Sequence, residues 1–434
     1  MKNENCNETS FQASHLLSSY FQFIIFEIDK RIQFVFFLDS RTRLLSSMLV
    51  QSQQQSNQSG ICSLVILDTL LAVVQQFSTL YTKMLFRCWL SAGSFVVHKR
   101  ALQSLQMVYA EYGDPSKVLH ERTEELKPLS KGELRYKMLA ASINPSDINQ
   151  VQGVYPVKPP LPAVGGGDCV MKVEELGPEV KEFQVGDWAI PSHPGFGAWR
   201  TCGITTPEHL IKVNNKLPAQ YAATLSVNPS TAYRMLKGYV KLGAGDAVLQ
   251  NAANSAVGQL IIQLARHFGH KTVNIIRDKN DGGKTAEYLR SLGADYVVTD
   301  TQFKEESKRI FGELGPPKLA LNCVSGRSTL YLAGALAPRG KLVTYGGMSK
   351  QALQIPSGAL IFKNIQVLGF WLTDWDQKPE NRQQRIQMLD ELSELALSGK
   401  LKMPLYESVP FKDFGRAMEE SLTGTGKKKM LVFD

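Results

Sequence analysis

The sequence predicts an α/β protein that combines a doubly wound parallel sheet with a separate β-rich part. From about residue 247 to residue 370, short apolar runs alternate with segments of helical periodicity, which is the pattern of a parallel sheet. Between residues 107 and 185 the pattern is different, with alternating runs punctuated by Gly and Pro. The simplest architecture is a β-rich part that contains both ends of the folded body, with the parallel sheet inserted. The 434 residues are enough for two domains.

The stretch from Ala247 to Arg277 supports the parallel sheet most directly. An apolar run at 247–249 is followed by a turn of small residues at 251–258, a helical pattern at 259–265 and a second strand at 272–276. This unit has the length of a right-handed parallel crossover. Because backbone N–H groups at a helix N-terminus attract phosphate, the small-residue turn predicts a dinucleotide site. An ordinary crossover in another doubly wound protein is the alternative.

The charges that follow the second strand indicate which dinucleotide would bind. An acidic residue at this point would bind the ribose 2′-hydroxyl of NAD, but the chain has Arg277, Asp278 and Lys279. A guanidinium suits a 2′-phosphate, so NADPH is favoured over NADH. The glycine fingerprint itself is degenerate, with Ala252, Ala256 and Gly258 in place of the usual G-x-G-x-x-G.

The other elements are assigned from periodicity. Further strands of the parallel sheet are predicted at 296–298, 319–323, 341–345 and 365–370, with helices at 286–292, 304–311 and 331–336. In the β-rich part, strands are predicted at 134–140 and, as its last strand, at 212–213. Helices are predicted at 218–238 and 382–397.

The first part of the chain differs from the rest. Residues 1–83 are an extension with no assigned function; their apolar stretches are too short or too charged to span a membrane. Residues 84–104 contain arginine, serine and apolar residues but no acid, as mitochondrial transit peptides do. A loosely structured linker is the alternative. If the transit hypothesis is right, Met84 is the natural start and the preceding residues mask the signal.

Composition excludes several classes of function. The net charge is +9, but no lysine/arginine block indicates a nucleic-acid partner. The six cysteines are scattered, without the spacing of a zinc site or a disulfide framework, so a reducing compartment is expected. His193 has no second ligand at useful spacing and is interpreted as a packing residue. We therefore expect a site without a metal.

Several motifs together resemble a known family. The chain resembles the medium-chain dehydrogenase/reductase superfamily, and within its zinc-independent, quinone-oxidoreductase-like branch the mitochondrial trans-2-enoyl-CoA (enoyl thioester) reductases. The resemblance covers Leu105 to Asp434. The motifs that carry it are at 143–149, 152–155, 227–233, 250–258, 321–324, 345–348 and 369–372.

The resemblance implies an architecture and a location. It implies a GroES-like catalytic domain at residues 105–230 and 373–434 around a Rossmann domain at residues 231–372. It also implies a homodimer without zinc in the mitochondrial matrix.

The implied reaction is NADPH-dependent reduction of a trans-2-enoyl thioester, carried by CoA or acyl carrier protein, in the last step of the mitochondrial fatty acid elongation cycle. Tyr155 matches the family's catalytic tyrosine, which implies that its phenol protonates C2. Two alternatives remain: an NADPH-dependent quinone or alkene reductase of the same superfamily, and a non-catalytic protein that binds NADPH or a partner.

The resemblance also implies the cofactor contacts. The matching positions are Asn228, Asn254, Ser255, Ala256, Val257, Arg277, Asp278, Lys279, Tyr345, Gly346, Gly347, Met348, Phe370, Trp371, Leu372, Thr373 and Lys429. One loop departs from the family pattern Gly-Gly-Asn-Glu-Gly, because this chain has Gly167, Asp168 and Cys169 at its last three positions. A side chain then stands where glycine gave backbone freedom, so an altered active-site loop or a lower activity is expected.

Overall fold

The computed structural model of the chain describes residues 102–278, 281–423 and 427–433. The predicted extension at 1–83, the predicted transit segment up to residue 101 and Lys279 lie outside these ranges. The end of that segment belongs to strand β1 (Gln103–Tyr109), in which Ser104 is buried and donates a hydrogen bond of 2.5 Å to the Cys202 carbonyl. No helix in the described ranges is long and apolar enough to cross a membrane.

The β-rich part comes first in the described chain. A three-stranded antiparallel sheet has the order β2-β1-β4, with β2 at His120–Glu125 and β4 at Ala163–Val164. The other strands of this part are β3 (Leu134–Ser142), β5 (Cys169–Leu176), β6 (Trp188–Pro191), β7 (Cys202–Thr205) and β8 (Leu210–Val213). Its helices are α1 (Pro115–Val118), α2 (Pro145–Val151), α3 (Ala219–Ala222) and α4 (Asn228–Gly238).

A six-stranded parallel sheet follows. Its strands are β9 (Ala247–Gln250), β10 (Lys271–Ile276), β11 (Tyr296–Thr299), β12 (Leu319–Asn322), β13 (Lys341–Thr344) and β14 (Gln366–Gly369). The helices of this part are α5 (Ala256–His267), α6 (Lys284–Ser291), α7 (Asp300–Leu314), α8 (Ser328–Ala335), α9 (Ser357–Lys363) and α10 (Leu372–Asp376). The spatial order is β11-β10-β9-β12-β13-β14, so the winding direction reverses between β9 and β12. The doubly wound sheet is confirmed, and ligands of such sheets bind at the carboxyl ends beside this switch point.

The end of the chain returns to the β-rich part. After α11 (Arg382–Leu397) come β15 (Tyr406–Pro410), α12 (Phe414–Thr423) and β16 (Lys428–Val432). Strand β16 pairs with β3, which gives a seven-stranded sheet of order β15-β16-β3-β5-β6-β8 with β7 also paired to β3. The predicted strand at 212–213 therefore belongs to β8, at one edge of this sheet. Strands β15 and β16, which come later in the chain, lie at the other edge.

The crossover predicted at Ala247–Arg277 forms for identifiable local reasons. All four residues of β9 are buried, as expected for a strand covered on both faces. Ser255 caps α5, because its Oγ accepts a hydrogen bond of 3.1 Å from the Gly258 amide. A Cβ at Gly258 would lie 2.6 Å from the Ala253 carbonyl oxygen, so only glycine lets the helix approach the turn this closely.

One predicted helix is wrong. Residues 218–238 form two helices, α3 and α4, rather than one continuous helix. Pro229 is the reason, since it has no amide to donate to the Leu225 carbonyl, which accepts a hydrogen bond of 2.8 Å from Oγ of Ser230 instead. The predicted domain boundary between residues 230 and 231 falls inside α4, and the domain limits stay predictions. Helices α9, α10 and α12 were not expected from periodicity.

One hydrophobic core connects the two parts. It includes Ile190 of β6, Val248 of β9, Leu260 of α5 and Leu392 of α11, all of them buried. Side chains from both sheets share this core, which packs at the density of a protein interior. The core therefore fixes the position of the cleft between the two sheets.

Candidate active site

A cavity of about 700 Å³ lies where the carboxyl ends of the parallel strands face the β-rich part. It brings together segments that are far apart in sequence, including the loop after α2, the start of α4 and the loop after β14. The predicted site residues that line it are Tyr155, Asn228, Val257, Tyr345, Gly346, Gly347, Met348, Phe370, Trp371, Leu372 and Thr373. Most of the predicted site therefore surrounds one cavity.

Tyr155 reaches this cavity from a tight turn after α2. Gly153 has a φ of +76°, and the Tyr155 amide donates a hydrogen bond of 3.2 Å to the Asn149 carbonyl. The phenol oxygen accepts a hydrogen bond of 2.7 Å from Nε1 of Trp371 and lies 3.5 Å from Oγ1 of Thr373. An indole N–H can only donate, so the phenol keeps its own proton available for a group in the cavity.

The two rings also pack against each other. The centroids of Tyr155 and Trp371 are 5.9 Å apart and their planes are nearly perpendicular, at 88°. This edge-to-face arrangement is favourable for aromatic pairs. The ring contact and the hydrogen bond together hold the phenol at one place in the cavity.

The predicted pyrophosphate turn stands at the start of α5. Ser255 is the N-cap, and the Asn254 carbonyl accepts a hydrogen bond of 2.8 Å from Nε2 of Gln259. The amides of Ala256 and Val257 are in the first turn, where an α-helix offers donors without partners inside the helix. Val257 lines the cavity itself. The turn therefore provides the donors and the positive helix end that a pyrophosphate needs.

A polar network that we did not predict from the sequence fixes the loops at the switch point. Nδ2 of Asn251 donates to Oδ1 of Asn322 at 2.8 Å and to Oγ of Ser328 at 3.0 Å. The Cys323 amide donates to Oδ1 of Asn251 at 2.7 Å, and Nδ2 of Asn322 donates to Oγ1 of Thr344 at 3.1 Å. These bonds tie β9, β12 and β13 together beneath the cavity. The only sequence signal was an asparagine at the end of two neighbouring strands.

Arg277 and Asp278 directly follow β10, and both are exposed. They are not among the residues that line the cavity. They lie at the end of β10, which is the strand next to β9 in the sheet. Asp278 accepts a hydrogen bond of 2.9 Å from Oγ1 of Thr301. Hydrogen bonds from the hydroxyls of Thr299 and Thr301 lower the pKa of Asp278. The Arg277 guanidinium is thus free to reach a ligand group at this edge, where the sequence predicts the 2′-phosphate.

Lys429, a predicted cofactor contact, lies outside the residues that line the cavity, and its role stays a prediction. Its ammonium is buried, with 3% of the side chain exposed, and it pairs with Glu420 and, at 2.6 Å, with Glu407. The preceding residue, Lys428, donates instead to Oδ1 of Asn144, which lines the cavity. Successive side chains of a strand point to opposite faces, so only one of the two lysines can face the cavity. Lys428 is the lysine that approaches the cavity, through Asn144, although neither lysine is among the residues that line it.

Two buried carboxylates accompany Lys428. Asp168 accepts hydrogen bonds from Oγ of Ser226 at 2.7 Å, Oγ of Ser142 at 3.0 Å and Nδ2 of Asn144 at 3.2 Å. Asp147 accepts a hydrogen bond of 2.8 Å from the backbone amide of Asn144. Burial raises the pKa of Asp168, and it raises the pKa of Asp147 to about 7.

The same buried surroundings shift the pKa of Lys428 in the opposite direction. Loss of water around its ammonium lowers the pKa of Lys428, while the neighbouring Asp168 and Asp147 oppose that shift. The cluster is therefore a desolvated group of coupled charges beside the cavity.

The departure at Gly167, Asp168 and Cys169 fits into this arrangement. Asp168 is satisfied by three donors, as described above, and Cys169 is the first residue of β5, paired with Ala141. Cys169 is not among the residues with positive φ, so its side chain causes no backbone strain. The local fold thus accommodates the departure.

Comparison with known proteins gives the family. A family model described as "Alcohol dehydrogenase GroES-like domain" matches residues 130–215, and one described as "Zinc-binding dehydrogenase" matches residues 256–393. A curated relative from Xenopus tropicalis, "Enoyl-acyl-carrier-protein reductase, mitochondrial", is 42% identical over 347 residues, which are 79% of this chain and 99% of the relative. The chain belongs to the mitochondrial enoyl-acyl-carrier-protein reductase family.

Solved structures agree with this family. The complex of Etr1p with NADP and crotonyl-CoA is 32% identical, with a TM-score of 0.72 over 76% of this chain and all of that one (100%). The Etr1p/Etr2p heterodimer of a mitochondrial 2-enoyl thioester reductase from Candida tropicalis has the same identity, TM-score and coverage. The predicted combination of a GroES-like domain with a Rossmann sheet is confirmed by the family models and by these structures.

The residues present in this member of the family do not fit zinc. Among the described residues, no group of three His, Cys, Asp or Glu side chains is arranged to hold a metal ion. His193 packs against His209 with ring centroids 4.7 Å apart, and its Nδ1 lies 3.0 Å from the Pro194 carbonyl oxygen. Asp147 and Asp168 accept hydrogen bonds from the amide and hydroxyl groups described above. A tetrahedral zinc site would need ligands that converge on one point.

Proposed function

We propose that this protein is an NADPH-dependent reductase of trans-2-enoyl thioesters in mitochondrial fatty acid synthesis. The observation that carries the proposal is the meeting of the Tyr155 phenol with the start of α5 and the ends of β12 and β13 around one cavity. A phenol with an available proton beside a dinucleotide site is the combination that reduction of a conjugated double bond requires. The family relatives are reductases of this kind.

The residues around the cavity fit NADPH. The first turn of α5 would hold the pyrophosphate, Asn228 and the loop after β13 would hold the nicotinamide end, and the cations of Arg277 and Lys279 would hold the 2′-phosphate. A Cβ at Gly346 would lie 2.9 Å from Sγ of Cys323, so this glycine keeps the loop after β13 low enough to leave room for a ligand. When bound, the cofactor supplies the hydride.

We propose that Tyr155 supplies the proton. Trp371 donates to the phenol oxygen and so orients the lone pairs, which leaves the O–H directed away from the indole. Thr373, at 3.5 Å, is too distant to compete strongly for this proton. In this arrangement the phenol can protonate C2 of a substrate that lies beside Trp371.

We also propose that, in addition to the predicted contact Lys429, Lys428 is a binding residue at the edge of the cavity. Its position beside Asn144 and the two buried carboxylates places a cation near the cavity, where it can contact an anionic or carbonyl group. Its partners hold the ammonium in one orientation, which suits a binding contact better than a mobile surface lysine would.

The relatives are mitochondrial enzymes, and mitochondrial location is therefore assigned to this protein as well. We further propose the matrix as the compartment and, as a transit peptide, the part of residues 84–104 that precedes β1. Import of chains that start at Met1 and at Met84 into isolated mitochondria tests this. Failure of the Met84 chain to enter would refute the transit peptide.

We propose a homodimer on the basis of one surface. Strand β14 is an edge strand of the parallel sheet, and Ile361 and Phe362 of the preceding helix α9 are 70% and 85% exposed. Exposed apolar side chains beside an open sheet edge are typical of an interface. Light scattering of the wild type and of Phe362→Ser tests the proposal. A monomeric wild type would contradict it.

The decisive experiment measures NADPH oxidation by the full chain with crotonyl-CoA, with a longer trans-2-enoyl-CoA and with a quinone. The proposal expects turnover with the thioesters. Turnover with the quinone alone would support the quinone reductase alternative. NADPH binding without any turnover would support a non-catalytic protein.

A further inference from the structure

A second cavity lies at the opposite end of helix α5 from the candidate active site. Its volume is about 370 Å³, and its lining includes Gln263, Arg266, His267, Ser291, Lys400 and Lys402. Val257 lines the first cavity, and His267 follows it by ten helical residues, an axial distance of about 15 Å. None of the described residues lines both cavities. The second cavity therefore has no part in the proposed chemistry.

The lining of the second cavity is positively charged. Arg266, Lys400 and Lys402 are exposed, and none of the described residues that line this cavity is acidic. Within the described ranges, none of these three cations forms an ion pair. Their charges are thus available to a ligand.

The structure holds two of these cations in place. Gln263 of α5 is buried, and its Oε1 accepts a hydrogen bond of 2.7 Å from the backbone amide of Lys402 while its Nε2 donates one of 3.0 Å to the Lys402 carbonyl. A Cβ at Gly293 would lie 2.5 Å from Cδ of Arg266, so a residue without a side chain makes room for the arginine. The segment after α11 is therefore fixed beside the end of α5, with a cation from each at the same cavity.

The turn after α11 adds Lys400. Gly399 has a φ of +72°, and the amide of Lys400 donates a hydrogen bond of 2.9 Å to the Leu395 carbonyl, which ends the helix. Leu401 is buried in the core, whereas Lys400 and Lys402 on either side of it are exposed. Both lysines therefore lie on the outer side of this segment, where the cavity is.

Three helices end at this cavity, and their dipoles offset part of the positive charge. Helix α5 ends at His267, α6 ends at Ser291 and α11 ends two residues before Gly399, and these three residues line the cavity. Each helix C-terminus is equivalent to about half a negative charge, so an excess of about 1.5 positive charges remains. A phosphomonoester carries a charge of about −1.5 to −2 at pH 7. The charge of the cavity therefore suits one phosphomonoester group.

The helix ends also supply acceptors for hydroxyl groups. The last carbonyls of a helix have no partner within the helix. The Ser291 hydroxyl donates to the Tyr288 carbonyl at 2.6 Å, so toward a ligand its oxygen can act as an acceptor. A ligand body with hydroxyl groups would satisfy these acceptors, whereas a hydrocarbon body would leave them unpaired. A volume of about 370 Å³ is in the lower range of small-molecule sites.

We infer that the second cavity binds a small sugar phosphate. Arg266, Lys400 and Lys402 hold its phosphate, and the ends of α5, α6 and α11 accept hydrogen bonds from its hydroxyl groups. The inference does not rest on the proposed function, because it uses none of the residues of the candidate active site.

Isothermal titration calorimetry of the full chain saturated with NADP⁺ tests the inference. The cofactor keeps the probe away from the first turn of α5 and from Arg277. We expect glucose 6-phosphate to bind at one site per chain with a Kd of about 1 mM or below, inorganic phosphate to bind about tenfold more weakly, and glucose not to bind.

Three results of these titrations would overturn the inference. They are the absence of glucose 6-phosphate binding up to about 10 mM, binding of glucose with the same affinity, and equal affinity for inorganic phosphate, which would exclude the hydroxyl contacts. A chain that does not bind NADP⁺ would contradict the proposed function instead. The titrations of the variants without cofactor would then decide the inference.

Variants test the assignment to these cations. Arg266→Gln/Lys402→Gln removes two of the three charges from exposed side chains and should raise the Kd for glucose 6-phosphate by about 10–100-fold. The matched control is Lys308→Gln, an exposed lysine of α7 outside the cavity lining, which should leave this Kd unchanged.

A folded double variant with the wild-type Kd would show that the cavity is not the site. If circular dichroism shows that the double variant does not fold, Lys400→Gln decides the question. This single substitution should raise the Kd for glucose 6-phosphate by about tenfold, and an unchanged Kd would overturn the inference.

Discussion

Nε1 of Trp371 donates a hydrogen bond of 2.7 Å to the phenol oxygen of Tyr155, across 216 positions of sequence. Tyr155 belongs to the β-rich part of the chain, and Trp371 lies two residues after the last strand of the parallel sheet. The bond therefore spans the cleft between the two parts. It holds the proposed proton donor in the same cavity that Val257 of the cofactor turn lines.

Removal of the phenol hydroxyl should abolish most of the activity. Tyr155→Phe keeps the ring contact with Trp371 but cannot protonate the substrate, so kcat should fall by about 10²–10⁴-fold while the Kd for NADPH stays within about twofold. Steady-state kinetics and NADPH fluorescence titration measure the two quantities. The control is Tyr331→Phe, a tyrosine of α8 outside the cavity lining. A fully active Tyr155→Phe variant would rule out the role.

The indole N–H should matter only through Tyr155. Trp371→Phe retains an aromatic ring and removes the donor, and we expect kcat to fall by about tenfold, the value of one hydrogen bond. In a Tyr155→Phe background the same substitution should change kcat little, because its partner is already gone. Additive effects of the two substitutions would show that Trp371 acts independently.

Cofactor selectivity should depend on Arg277. Arg277→Ala should raise the KM for NADPH by about 10–100-fold, since a charge-assisted hydrogen bond to the 2′-phosphate is lost, and should leave the KM for NADH nearly unchanged. Arg290→Ala, an exposed arginine on α6, serves as the control. An equal rise in the KM for NADPH and in the KM for NADH would argue against recognition of the 2′-phosphate.

The two lysines of β16 should give different defects. Lys429→Met removes one of the two cations that Glu407 and Glu420 share, leaving Arg416, and should lower the melting temperature with little change in the KM for NADPH. Lys428→Met should raise that KM or lower kcat even at temperatures where the variant is fully folded. Thermal unfolding and kinetics at low temperature separate the effects, and the reverse pattern would support the original assignment to Lys429.

Stability should fall as pH rises through the range set by Asp147. Its pKa is raised from 3.8 to about 7 by burial, so the folded protein binds a proton there that the unfolded chain releases. The free energy of unfolding therefore falls as the pH rises from 3.8 to about 7, and this loss is complete above about pH 7. Asp147→Asn can still accept a hydrogen bond from the backbone amide of Asn144. Its melting temperature should therefore be higher than that of the wild type at pH 8 but not at pH 4. Identical differences at both pH values would contradict this.

The sequence was sufficient for the elements with strong periodicity. Helix α11 has the predicted bounds, Arg382–Leu397, and every predicted strand of the parallel sheet is present. It was insufficient where backbone chemistry interrupts an apolar pattern. Pro229 divides the helix expected at 218–238, and helices as short as α9 and α10 hold too few turns to show a period.

The sequence by itself determined the parallel sheet, the dinucleotide turn and the charged residues after β10, because local periodicity and small-residue turns encode them. Only the tertiary structure decided that Lys428 contacts Asn144 whereas Lys429 pairs with Glu407 and Glu420. The lysine run has no apolar alternation to fix its register, and the pairing of Met430 with Ser142 sets it instead. The same holds for the contact of Trp371 with Tyr155. These contacts depend on how two sheets close on a shared core, which no local pattern specifies.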